Sequence, residues 1–138
     1  MITSDERIYS LIQDAHSHAK TEINAKGALL ESPGGDLFYS FDNVPDTTTK
    51  RGTELIEHAE IQVLRKAGQR CHGATLYITR PPCLHCCHAI LKAGIACVMH
   101  PDHCGDDVDY ASCEQGNLLL GLNGVEVELW TPEKGIIN

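Results

Sequence analysis

The sequence predicts an α/β domain with helices packed on a five-stranded mixed sheet. Two patterns point there. Apolar residues recur at helical spacing in four segments and form short β-branched or aromatic runs in five others. The order α-ββ-α-β-α-β-α-β joins the later strands by helical crossovers, so those strands are expected to run parallel. With 138 residues, the chain can bury one core but hardly two, which predicts a single domain over 1–138.

The elements follow in order. Ser4 suits an N-cap, and Ile8, Leu11, Ile12, Ala15 and Ala19 give a helical stripe, so a helix is expected over 5–21. "KGALLE" and "DLFYSFD" flank "SPGG", the pattern of a hairpin around a glycine-containing turn. "NVPDTTTKRG" is polar and reads as a loop. From Glu54 to Ala67 the period is helical again, with Gly68 as the stop. "ATLYITR" is a third strand, broken by Pro81 and Pro82. Pro82 suits the first turn of a helix that runs to Ala93 and ends at Gly94. "IACVM" is a fourth strand, residues 101–109 an acidic loop, 110–121 a helix and "VEVELW" a fifth strand.

Composition narrows the function. Lys and Arg number 11 against 19 Asp and Glu, a formal charge of −8. Extended nucleic-acid binding needs several phosphates neutralised by Lys or Arg, so this balance favours a small-molecule partner instead. One phosphate on a mononucleotide needs only one or two basic groups. No apolar run approaches the ~20 residues of a membrane span, and the polar start "MITSDERIYS" is no secretory signal, which points to the cytoplasm. Seven cysteines cannot all pair within one chain. In a reducing compartment, closely spaced Cys and His are better read as metal ligands.

Those donors concentrate in "RPPCLHCCHAIL" (80–91) and in "IEHAEIQ" (56–62), each where a helix begins. Cys83 and Cys86 stand at i and i+3, so both sulfurs leave one face of a first turn and can share a metal. Cys-x2-Cys is ordinary zinc spacing. Cys87, at i+4 from Cys83, competes geometrically with Cys86. His58 is the natural third ligand, and three protein ligands leave zinc's fourth position for water, as catalytic sites do. Glu60 lies on a different side of an ideal helix from His58, so both reach one point only at the helix end. Two helix N-termini, each worth roughly +0.5 charge, would favour an anion there. Zinc brings the pKa of its water toward ~7, and Glu60 can accept the released proton.

His-Ala-Glu at 58–60 with Pro-Cys-x-x-Cys at 82–86 resembles the zinc-dependent cytidine/deoxycytidylate deaminase superfamily. The surrounding "HAEIQVLRKAG" and "GATLYITRPPCLHCCHAILKAGI" extend the resemblance over about Ile56 to Val98. It implies a three-layer α/β/α cytidine-deaminase-like fold, with zinc held by His58, Cys83 and Cys86. It further implies hydrolytic attack at C4 of a cytosine ring, with Glu60 protonating N3 and then the departing ammonia. The backbone N–H groups of Ala59 and Cys83 would anchor the ring and the attacking oxygen.

His at 58 and "ILKAGIACVMH" make the chain most like the deoxycytidylate (dCMP) deaminases, which implies conversion of dCMP to dUMP and ammonia. The alternatives are deamination of tRNA adenosine or a free cytidine nucleoside, and an inactive zinc- or nucleotide-binding homologue. The dCMP deaminases carry Asn-Gly-x-Pro after the second strand, with the Asn on the sugar. Here the residues are Asp42-Asn43-Val44-Pro45. A gapless count selects Asp42. A one-residue shift selects Asn43, preferred because an amide both donates to and accepts from a sugar hydroxyl. Arg51, with Lys50 beside it, could pair with a 5′-phosphate, and Tyr110 could close over the base. The resemblance also implies a homo-oligomer. His85 and His88 are expected to pack or face solvent, and Cys71, Cys97 and Cys113 to act as small hydrophobes. A second zinc site would have to come from His72, His100, His103 and Cys104.

Overall fold

The computed structural model describes residues 4–18, 27–41, 59–79, 81–101 and 110–130. Its elements are α1 (Ser4–His18), β1 (Gly27–Glu31), β2 (Leu37–Phe41), α2 (Ala59–Ala67), β3 (Thr75–Ile78), α3 (Leu84–Ala93), β4 (Cys97–Pro101), α4 (Tyr110–Leu122) and β5 (Glu126–Trp130). α2 ends at Ala67 and Gly68 takes a left-handed φ of 55°, the expected stop, after which a 3-10 turn, Gly68–Cys71, leads toward β3. The expected elements are present in the expected order. The expected loops at 42–51 and 101–109 lie outside the described residues, apart from Pro101, which closes β4.

The five strands form one sheet in the order β2-β1-β3-β4-β5. β1 is antiparallel to both β2 and β3, whereas β3, β4 and β5 are parallel. Four strands therefore point the same way, and their C-terminal ends share one edge. From β2 to β3, β4 and β5 the chain always steps in the same direction across the sheet. Right-handed crossovers then put α2, α3 and α4 on one face. Only α1, which precedes the sheet, is left for the other face. This gives the three layers.

The larger core lies between the sheet and the three crossover helices. Leu30, Leu76, Ile78 and Val98 from the strands meet Val63, Ile90 and Leu120 from α2, α3 and α4. Each such side chain contributes about 1.5–3 kcal/mol when fully buried. On the other face Ile8 and Leu11 of α1 meet Leu29, Tyr77 and Met99. Arg7 anchors this helix: its Nε lies 3.0 Å from Glu31 Oε1, which also accepts from the Tyr77 hydroxyl at 3.3 Å.

Two connections are fixed by short-range bonds. The β1–β2 hairpin closes through Ser32, whose backbone N–H donates to Asp36 O and whose Oγ accepts the Asp36 N–H, both at 2.9 Å. At the far end of α3, Gly94 adopts a left-handed φ of 81° and its N–H caps the carbonyls of Ile90 and Leu91. A Cβ there would stand 2.7 Å from His72 Nδ1, so glycine is required for both reasons. The predicted stop at Gly94 is correct.

Candidate active site

The C-terminal edge of the parallel strands is where ligands bind in open α/β sheets. Here β3 leads through Pro81, Pro82 and Cys83 into α3 at that edge, and α2 begins there after β2. Pro82 is not in the first turn of α3, as the sequence suggested, but precedes the helix. Cys83 is the N-cap, in an extended conformation with φ −72° and ψ 166°. Pro82 keeps its predecessor Pro81 out of the helical region, so the chain stays extended where it leaves β3. Cys83 makes no side-chain capping bond to the helix backbone.

Cys86 is the third residue of α3 and is fully buried. Its side chain hydrogen-bonds with both Cys83 and Glu60. The hydrogen bond with Cys83 is the main reason its thiol is held far above the ordinary range, followed by burial and the charges of Glu60 and Cys83. Two thiols and a carboxylate thus neighbour one another across two helices, with Cys86 between the other two. Such a crowd of potential anions in a buried place is favourable once a cation is among them. This donor set fits a zinc ion.

The competition between Cys86 and Cys87 is decided by packing. Cys87 turns inward to the core, where its Sγ faces Pro82 O at 3.9 Å. A Cβ on Gly116 of α4 would come within 2.6 Å of that sulfur. Burial, with the charges of Cys83 and Glu60 secondary, pushes the Cys87 thiol up to about 12. Cys87 is a core residue that seats α4. A lone glycine inside the helical string "EQGNLLLGL" is a sequence signal of such a close approach.

Ala59, at the start of α2, is fully buried in the same layer. Asn43, Arg51 and His58 lie outside the described residues, and Tyr110 opens α4 with its side chain also outside them. His85 and His88 are exposed, as expected, on the face of α3 turned away from the sheet. With Lys92 they line a shallow depression there of about 590 Å³.

The other cysteines and histidines separate from this centre. Cys71 is buried with its Sγ 3.3 Å from Leu64 O, and burial raises its pKa, as suits a small hydrophobe. Cys97 differs from that expectation: it groups with Glu126 and Glu128, their ligand atoms all within 4.8 Å. Parallel pairing of Cys97 with Glu126 puts this group on the α1 face and at the opposite end of the strands. His72 and His100 cannot share a second metal. His72 precedes β3 at one edge of the sheet, and His100 stands near the C-terminal end of β4 at the other. His100 is buried; its Nδ1 donates to Pro101 O at 2.6 Å, which leaves Nε2 to accept from Asn117 Nδ2 at 3.2 Å. The pair ties β4 to α4. Asn117 was not legible in the sequence as its partner. His103 and Cys104 are outside the described residues.

The sequence profile of the MafB19-like deaminases matches residues 3–134. Riboflavin biosynthesis protein RibD of Escherichia coli is 46% identical over 48 residues, 30% of this chain and 13% of that protein. A diaminohydroxyphosphoribosylamino-pyrimidine deaminase of Buchnera aphidicola is 46% identical over 81 residues, half of this chain and 55% of that protein. The chain therefore spans about an eighth and about half of the lengths of these two relatives. Among solved structures, dCMP deaminase from the cyanophage S-TIM5 superposes with a TM-score of 0.69. It is 20% identical, over 94% of this chain and 100% of that one. That likeness is one of fold.

Proposed function

The chain belongs to the MafB19-like deaminase family, within the cytidine/deoxycytidylate deaminase superfamily, and on that premise we propose that it hydrolyses dCMP to dUMP and ammonia. The observation that carries the reading is that Cys86 interacts with both Cys83, at the N-cap of α3, and Glu60 of α2. In this reading His58, Cys83 and Cys86 hold a zinc ion. When bound, zinc supplies a Lewis acid and lowers the pKa of water toward ~7.

Glu60 does the proton work. Its carboxylate takes the first proton of the attacking water and gives it to N3 of the cytosine ring, then takes the remaining proton from the new C4 hydroxyl and passes it to the departing amine as the C4=O bond forms and the C–N bond breaks. The backbone N–H groups of Ala59 and Cys83 are assigned to orient the ring and the attacking oxygen. Asn43 is assigned to the sugar, Arg51 to the 5′-phosphate and Tyr110 to the face of the base. The formal charge of −8 supports a mononucleotide over an RNA stem. So do two similar proteins: the Buchnera relative is a deaminase of a phosphoribosylamino-pyrimidine, and the cyanophage dCMP deaminase was solved with dCMP and dUMP. We place the protein in the cytoplasm as a homo-oligomer. Among the described residues no helix is long and apolar enough to cross a membrane.

The test is a substrate panel of dCMP, deoxycytidine, dCTP and an adenosine-containing tRNA anticodon stem, offered to zinc-loaded protein. Turnover of dCMP above the others is expected, with kcat lowered about 10²- to 10⁴-fold in Glu60→Ala while zinc is retained. Turnover of the tRNA stem alone would replace dCMP by adenosine. Zinc loss in Glu60→Ala would mean that the carboxylate is a ligand instead of a proton carrier.

A further inference from the structure

Three polar side chains are buried among the described residues: Ser32, Ser40 and His100. Ser32 is bonded in the hairpin turn and His100 to Pro101 and Asn117. Ser40 differs. Its hydroxyl is buried, at 2% residue exposure, with no hydrogen-bond partner among the described residues. An unpaired buried hydroxyl costs about 1–3 kcal/mol. Folded chains break such local rules mainly where function requires it.

Its position is the second observation. Ser40 is the penultimate residue of β2 and pairs with Ala28, which pairs in turn with Ile78. Ala28 and Ile78 both belong to the core under α2, α3 and α4, and Phe38, two residues back on β2, packs against it. Alternation along the strand therefore turns Ser40 to the helix layer that carries Glu60, Cys83 and Cys86. It also stands at the sheet edge where those residues lie. From Ser40 the chain leads out through Asp42 and Asn43 toward α2.

We propose that Ser40 is a specificity-determining residue of this candidate site, its hydroxyl donating a hydrogen bond to the 2-carbonyl oxygen of a bound pyrimidine. The inference rests on the proposed cytosine chemistry. With C4 beside the zinc ligands and N3 facing Glu60, the ring's remaining polar edge atom is O2. Adenine offers only a C–H at its own position 2. A site built to pair a polar atom discriminates against a ring that lacks it more strongly than an apolar wall does.

The experiment compares wild type with Ser40→Ala on dCMP and on the tRNA adenosine stem, with zinc content and Tm measured on the same samples. The expected result is a KM for dCMP raised about tenfold, equivalent to about 1.4 kcal/mol. Zinc content and kcat should hold, and Tm should stay level or rise because an unpaired hydroxyl has been removed. Unchanged dCMP constants would overturn the inference and leave the deaminase reading intact. A fall in Tm with an equal loss on every substrate would also overturn it, because the hydroxyl would then pair within the protein. Wild type that acts on adenosine and not on dCMP would remove both the dCMP reading and this inference.

Discussion

Both faces of the sheet carry cysteine beside carboxylate, but in different surroundings. On the helix-covered face, Cys83, Cys86 and Glu60 gather at two helix starts, with Cys86 fully buried. On the α1 face, Cys97 sits beside Glu126 and Glu128, both exposed at the edge of the sheet. Exposed carboxylates are already solvated and gain little from a cation. Strands carry small net dipoles, whereas a helix N-terminus presents unbonded N–H groups and positive potential. The lesson is that donor identity alone does not make a site. Burial, softness of the donors and a helix start do.

Zinc binding tests this contrast most severely. Cys86→Ala should lose nearly all bound zinc and all measurable deamination, whereas Cys97→Ala should keep both, read by metal analysis on the same preparations. Zinc lost from Cys97→Ala would make the second group the metal centre. A core truncation in the α1 layer separates stability from the site: Leu11→Ala should cost about 2–5 kcal/mol in denaturant unfolding while zinc content per folded chain stays constant.

A smaller effect tests the seating of α4. Gly116→Ala would force a Cβ to within 2.6 Å of Cys87 Sγ and 3.4 Å of Pro82 O, and overpacking of this kind costs about 1–3 kcal/mol. Because both atoms adjoin the start of α3, zinc affinity should fall as well. Gly121→Ala in the same helix meets nothing within 4 Å and should stabilise by up to about 1 kcal/mol. A Gly116→Ala protein as stable as wild type would show that α4 can shift without cost.

The weakest expected effect is in alkaline pH. Burial first, then Glu128 and Glu126, pushes the Cys97 thiol up to about 11 from 9.0. A raised folded-state pKa means that the native state holds the proton more tightly than the unfolded chain. Its contribution is therefore complete below about pH 9 and disappears as pH rises toward 11. Thermal unfolding should show a shallower alkaline loss in Cys97→Ala than in wild type over that window.

Much of this was legible in the sequence. Element order, the hairpin, the parallel later strands and the stop at Gly94 follow from periodicity and turn residues, because local propensity and burial agree along most of the chain. The paired motifs around Glu60 and Cys83 were legible because metal ligation demands fixed donor types at fixed spacing. The boundary at Pro82 was misread by a residue or two because two prolines compete, one favouring a helix start and the other extending the chain.

What the sequence determined alone, then, is the order of the elements and which segments hold the candidate residues. The tertiary structure decided which of two adjacent thiols turns to the site, since Cys87 is claimed by the close approach of α4 at Gly116. It also decided that Cys97 stands apart beside two glutamates, and that His72 and His100 fall at opposite edges of the sheet. The physical reason is the same in each case. Spacing along the chain constrains neighbours within a turn or a strand, whereas face, edge and burial depend on strand order and crossover hand, which arise only when distant segments pack.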